Sequence, residues 1–358
     1  MTQAHAFLPP SGADNWAACA AWPTMQQTHP DLGDPTASEE GTRAHALLAE
    51  VMGGAGVNPY LSVGEEMADA VMAAADYARS LPVVEWHVER HLSGEAIAPA
   101  GKNHGTPDLL GWRGLNLYVL DFKYGHRHVP HIGNLQLVNY AALALDNAVN
   151  IDGLVEQSVT VHLTIIQPRA YGHDPVRTWK IPAGELRAYA NVLRNAAERA
   201  LRPGAPASTG PQCTYCNGRH ACAALRQVAG AAIDLSNGGS SSIALTAAAI
   251  GAELSLVDSA IARLDAVRAG LQEQARHALT SGGQIPGWQM QSKSGREAWR
   301  LPADQVLALG VPAGPSKPVT PTQARKAGVA PEIVSMLAAR PTSAPELVRA
   351  DPEAKGIF

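Results

Sequence analysis

Charge is scarce in this chain. Of 358 residues only 17% are charged, and the balance is a formal −4 with histidine neutral. Such a composition carries no global basic signature of a nucleic-acid binder, so any anion-binding groove has to be local. Long apolar runs are missing as well. No stretch approaches the ~20 consecutive apolar residues that a membrane-spanning helix needs, and the first residues lack the charged-then-apolar pattern of an export signal. A cytoplasmic protein without membrane contact is therefore expected. Cysteine is nearly absent: the chain has four, and a reducing compartment is a poor place to spend them on two disulfides. What is plentiful is apolar side chain, at 46%, enough to bury a sizeable core in one large or two modest domains.

The stretch from Gly105 to Gly125 organises the rest. Asp108 to Trp112 and Leu117 to Lys123 are rich in β-branched, aromatic and large apolar residues, and Arg113-Gly114-Leu115-Asn116 between them supplies a turn. With the turn centred on Gly114-Leu115, Asp108 lies opposite Asp121. Side chains alternate along a strand, so Lys123 shares the face of Asp121. Two carboxylates and an ammonium then occupy one small patch. Neither carboxylate is easily buried beside the other without a cation. Mg²⁺ or Mn²⁺ relieves the repulsion, since a hard cation typically takes one or two carboxylates and completes its shell with water and phosphate oxygens. The plain alternative is a charged strand edge exposed to solvent.

Other segments fall around this hairpin. Ser11 is a candidate cap for a short helix, Ala13 to Ala21, that carries Cys19. Glu39 to Met52 has helical spacing, with Ala44, Leu47, Leu48 and Val51 on one face and His45 near its start. Glu65 to Ser80 is a second helix. Val83 to Leu92 alternates like a strand, with Glu85 and Glu89 on one face of it. The loop Tyr124 to Pro130 is rich in histidine, but His126, His128 and His131 match no closed zinc pattern. They and Arg127 are candidates for phosphate contact. In the helix Asn134 to Leu145, Gln136 and Tyr140 share a face. Ser158 to Gln167 is a strand ended by Pro168 and Arg169, a guanidinium suited to phosphate. Ala183 to Leu201 is helical. Cys213, Cys216 and Cys222 follow in a Cys-x2-Cys-x5-Cys pattern that, with Cys19, suits either zinc or an iron-sulfur cluster; spacing alone does not choose.

Taken together these residues resemble a known group. Gly105-Thr-Pro-Asp108, a spacer, and Asp121-Phe-Lys123 are similar to the divided metal motif of the PD-(D/E)xK nuclease superfamily. Gly41-Thr-Arg-Ala-His45 resembles the upstream Gly-x-x-x-His helix of its RecB-like branch, and Gln136-Leu-Val-Asn-Tyr140 the Gln-x-x-x-Tyr helix that follows the lysine. One early cysteine and three late ones resemble the iron-sulfur staple of AddB-type and CRISPR-associated members. The likeness covers roughly residues 11 to 226, and the whole chain, tail included, is similar to a phage and prophage family of this branch.

The resemblance implies an α/β fold with a restriction-endonuclease-like core, a central mixed β-sheet flanked by helices, held by a 4Fe-4S staple. Asp108, Asp121 and His45 would hold Mg²⁺ or Mn²⁺ with Glu89 assisting, Lys123 would position the attacking water, and Gln136 and Tyr140 would orient it or the DNA strand. Cys19, Cys213, Cys216 and Cys222 would bind the cluster, with zinc as the less favoured occupant. The implied activity is DNA exonuclease action in phage recombination or replication within a bacterial host cell, with DNA as substrate and a phage single-strand annealing or DNA-binding protein as candidate partner. The alternative is a catalytically silent DNA-binding or scaffold protein. The expected organisation is a nuclease domain over 1–236, a Gly/Ser linker over 237–242 and a mainly helical module of unknown role over 243–358. In that module Leu254, Val257, Ile261, Leu264, Val267 and Leu271 form an apolar stripe of the core or partner-helix kind. Gly287 to Leu301 should form a strand pair, and short proline-broken helices should fill 303–340.

Overall fold

A computed structural model describes residues 6–54, 56–148, 158–236, 246–312 and 318–349; the expected linker at 237–242 lies outside the described residues. The chain enters through a 3-10 turn at Pro10–Gly12, then α1 (Ala13–Ala18) and α2 (Trp22–Thr28). Ser11 falls inside the turn and Gly12 occupies the N-cap position, so the expected Ser11 cap does not form. Two amphipathic helices follow, α3 (Thr36–Met52) and α4 (Glu65–Ser80). In α3 the buried side chains are Ala44, Leu47, Leu48 and Val51, the face set by 3.6-residue spacing.

The strand expected over Val83 to Leu92 is shorter. Only β1 (Trp86–Val88) joins the main sheet, because Glu89 adopts φ 48° and ends the extended run. Next, β2 (Leu92–Ser93) and β3 (His104–Gly105) pair in a separate ribbon. The hairpin forms as read: β4 (Leu109–Arg113) and β5 (Asn116–Phe122) pair antiparallel with Leu109 opposite Leu120 and Arg113 opposite Asn116. Gly114 takes φ 54° in the two-residue turn, a conformation that costs glycine little. After α5 (Leu135–Asp146), capped by the Asn134 side chain accepting from the Leu137 N–H, come β6 (Thr160–Ile166), β7 (Val176–Pro182) and α6 (Ala183–Ala200). The sheet order is β1-β4-β5-β6-β7, with β5 and β6 parallel and the other pairs antiparallel.

Alternation along β5 divides the core in two. Tyr118, Leu120 and Phe122 pack with the buried faces of α3 and α4. Leu117 and Val119 pack with α1, α5 and α6. The result is a mixed sheet with helices on both faces.

Beyond α6 lie α7 (Ala223–Ser236) and the long α8 (Ala247–Thr280). The chain divides into two compact units, 1–270 and 271–358, so the division falls inside α8. Ala266 packs with Cys213 and Leu225. A Cβ at Gly270 would lie 2.7 Å from Arg219 Cγ, so only glycine fits there without a shift. The apolar stripe does not supply a core within the described residues: Leu254, Val257, Ile261 and Leu271 are exposed. Taken by itself, the second unit adds two small strand pairs to its helices. Its β8 (Trp288–Gln291) pairs with β11 (Glu346–Arg349), and β9 (Ala298–Trp299) with β10 (Ala338–Ala339). The two strands expected to pair with each other thus pair with later segments instead. Three short helices, Ala303–Ala308, Pro321–Lys326 and Pro331–Leu337, surround a core of Val306, Val311, Ala324 and Val334.

Candidate functional site

The C-terminal end of β5 meets the first turn of α5. Asp121 points to the α5 side of the sheet with Leu117 and Val119, and Gln136 reaches it from the helix: Nε2 donates to Asp121 Oδ1 at 2.9 Å while Oε1 accepts from Lys123 Nζ at 3.0 Å. Lys123 Nζ lies 2.9 Å from Asp121 Oδ2. Gln136 thereby bridges the acid and the base. Asp121 is almost wholly buried, and its Oδ2 has no aligned hydrogen bond; the nearby ammonium supplies charge without a linear donor. Burial pushes the Asp121 carboxyl above its ordinary range, Lys123 opposes this, and Asp108 adds to it. For Lys123, burial acts to lower the pKa, but the charge and hydrogen bond of Asp121 with the charges of Asp108 and Asp14 together overcome it and the value is raised, so the side chain is an ammonium.

Asp108 sits just before β4. Its Oδ2 accepts from the Phe122 N–H at 2.6 Å and its Oδ1 lies 2.8 Å from His45 Nδ1, so α3 is tied to the strand ends through one carboxylate. Burial lowers the His45 pKa, yet the Asp108 hydrogen bond and the charges of Asp108 and Asp121 overcome it and raise the value. Glu89 donates its backbone N–H to Asp108 O at 3.0 Å. Its carboxyl is raised by partial desolvation and then by the Asp108 charge, which puts it within electrostatic reach of the pair. A positive φ at a residue other than glycine is strained backbone, of the kind that collects at functional sites. Tyr140 is buried beside this group, its phenol raised first by burial and then by Asp121 and Asp108, with Gln136 as hydrogen-bond partner. Asp14, on α1, had no sequence signal: its carboxylate faces the Leu135 N–H at the start of α5 and feels the Lys123 charge.

The two arginines singled out in the sequence are committed elsewhere. Arg169 lies 3.3 Å from Glu40 and 3.1 Å from Glu66, stacks over Tyr124 at 4.2 Å, and reaches His126. It is a structural clamp rather than a free phosphate ligand. Arg127 leans over the Tyr215 ring at 5.6 Å. The histidine loop is pinned by Gln167, which is fully buried: its Oε1 accepts from the Val129 N–H and its Nε2 donates to Gly125 O and Arg127 O.

A family model described as a protein of unknown function, DUF2800, matches residues 5–354. The chain belongs to that family. The match runs from the first helices through both units, so the site and the second unit are parts of one family architecture.

Among the described residues no three His, Cys, Asp or Glu side chains are drawn together as a ready metal cage. The residues present nonetheless suit a hard cation: two carboxylates are what Mg²⁺ ordinarily takes, and the charge of Asp108 raises the buried Asp121 carboxyl, a repulsion that a cation would relieve. The cysteines are all free, and Cys19, Cys213, Cys216 and Cys222 line one small cavity with Trp22, Met25 and Leu225. Backbone N–H groups of Ser208 and Gly210 donate to Cys19 Sγ and Cys213 Sγ at 3.3 and 3.4 Å. Burial, added to by the neighbouring cysteines, pushes the Cys216 thiol up to about 11. Although the four sulfurs line this cavity, they are not gathered into a metal-binding cluster among the described residues. Among the described residues no helix is long and apolar enough to cross a membrane.

Proposed function

We propose that this protein is a Mg²⁺- or Mn²⁺-dependent deoxyribonuclease of the PD-(D/E)xK, RecB-like kind, acting as an exonuclease on DNA in phage recombination or replication. The observation that carries the reading is the Asp121–Lys123–Gln136 triangle set beside the Asp108–His45 pair. Asp108 and Asp121 would hold the metal, with His45 and Glu89 assisting. When bound, the metal would polarise the phosphoryl group and lower the pKa of a water.

Lys123 is already protonated, so it cannot serve as the base. It holds and orients the attacking water by donating hydrogen bonds, and it offsets charge that builds on the phosphate oxygens. Gln136 fixes the separation of Lys123 and Asp121, and Tyr140 supports Gln136 from behind. In the reaction the water oxygen bonds to phosphorus and gives up a proton to solvent, the ester bond to the leaving deoxyribose oxygen breaks, and that oxygen gains a proton from solvent. The four cysteines would hold a 4Fe-4S cluster, or zinc, with a structural role.

The test is degradation of labelled linear, circular and single-stranded DNA with Mg²⁺ or Mn²⁺. Asp121→Asn and Lys123→Ala should each lower the rate by at least about a hundredfold with an unchanged circular-dichroism spectrum. Wild-type activity in either variant would overturn the mechanism. Resistance of the circular substrate would establish exonuclease action, and its rapid linearisation would replace it with endonuclease action.

A further inference from the structure

Two loops run side by side next to the Lys123 strand end, and their rings pair across the gap at alternate positions. His126 stacks with Tyr171 at 5.7 Å between centroids and 29° between planes; two residues on, His128 lies over His173 at 3.9 Å and 32°. The second pair opens onto a cleft of about 720 Å³ that His131, Ile132 and Arg177 also line. Tyr171 is 74% exposed and Ile132 65% exposed, so ring and aliphatic surface faces water here.

This arrangement is held from below. Gln167 fixes the first loop through Gly125, Arg127 and Val129, and the buried Arg177 donates to Asp174 O, Val129 O and Gln167 Oε1. The ladder is joined to the site through Arg169, which contacts both His126 and Tyr124, the residue after Lys123. Of the arginines nearby, Arg169 is paired with Glu40 and Glu66, Arg177 is held by carbonyl oxygens and Arg127 lies over Tyr215.

Tight binding of a duplex rests on many neutralised phosphates, and a chain with 28 Lys and Arg against 32 Asp and Glu is poorly supplied for it. Stacking on unpaired bases needs no net charge, because every base offers a π face. We propose that the His126–Tyr171 and His128–His173 ladder is a stacking platform for unpaired bases, so that the strand presented to Lys123 is single-stranded. The inference rests on the nuclease reading for its catalytic consequence and on the rings alone for binding.

The test separates the two. Fluorescence anisotropy in EDTA, which stops cleavage, compares a labelled oligothymidine with a hairpin duplex of equal charge. The single strand should bind in preference and with a shallow salt dependence. The double variant Tyr171→Ala/His173→Ala should weaken it about tenfold or more, whereas Tyr171→Phe should retain binding; melting curves confirm that each variant is folded. Equal affinity for duplex, absence of single-strand binding, or wild-type binding by the double variant would overturn the platform. Cleavage with Mn²⁺ is read in parallel. Wild-type protein that degrades DNA with no loss in the double variant leaves the nuclease and removes the platform. Wild-type protein that binds single strands through these rings but degrades no DNA leaves the platform and removes the nuclease.

Discussion

Lys123 and Asp121 were legible from two facts, strand alternation and the position of a glycine in a turn. Both are local, and both survive in the fold. Asp14 and the pairing of Arg169 were not legible, because each depends on which helix the strand ends meet. His45 gives a pH signature of the metal-free protein. Its folded-state pKa is raised, so the Asp108–His45 pair stabilises the fold fully below the unfolded histidine value of about 6.5. That contribution is lost as pH rises through the higher folded value. Melting temperature in EDTA should therefore fall across this window in the wild type and fall less in His45→Gln. A metal held by Asp108 and Asp121 should act in the opposite sense, binding more tightly as pH rises and the raised Asp121 carboxyl ionises. Glu89 offers a separate test. Glycine accepts φ 48° without steric strain, and the relief of about 1 kcal/mol or more offsets its greater unfolded entropy. Glu89→Gly should melt within a few degrees of the wild type while nuclease activity drops, and retention of full activity would remove Glu89 from the site.

Elements are where local reading succeeded most and failed for identifiable reasons. Helices α3, α4, α5 and α6 fall close to their apolar periodicity. Strand β7 had no counterpart in the sequence reading, since Val176-Arg-Thr-Trp-Lys-Ile-Pro182 carries a charge at a position that faces inward. Arg177 is buried there because three carbonyl oxygens await it, a fact of tertiary structure. The same group of bonds sets the rigidity of the histidine loop. Gln167→Leu would leave the Val129 N–H and two carbonyls without their partner at a cost of about 1–3 kcal/mol. Amide hydrogen exchange should then accelerate at Val129 and its loop neighbours while β5 and β6 stay protected; an unchanged loop would show that Gln167 does not hold it. In α8 the small residues Ala266 and Gly270 face inward and several large apolar ones face out, the reverse of what periodicity alone suggested.

At the scale of the whole molecule, the four cysteines come from segments about two hundred residues apart, and hydrogen bonds already join those segments. The Asn217 N–H donates to Gln26 Oε1 at 2.8 Å and the Asn217 side chain donates to His29 O at 3.2 Å. Cys213→Ser should therefore abolish bound metal and the brown colour of an iron-sulfur protein, and lower the melting temperature, without releasing the N-terminal segment altogether. Iron and zinc content of the wild type decides between the two occupants, and a variant with unchanged metal content and melting curve would remove the staple.

The sequence by itself determined the hairpin, its register and the helix faces, since these follow from periods of 2 and 3.6 residues and from turn chemistry within a few positions. Only the tertiary structure decided that Gln136 would bridge Asp121 and Lys123, that Arg169 would be taken by two glutamates, and that rings from two loops would stack. Those outcomes depend on how far apart elements come to rest after the core is packed, and no local spacing encodes that distance.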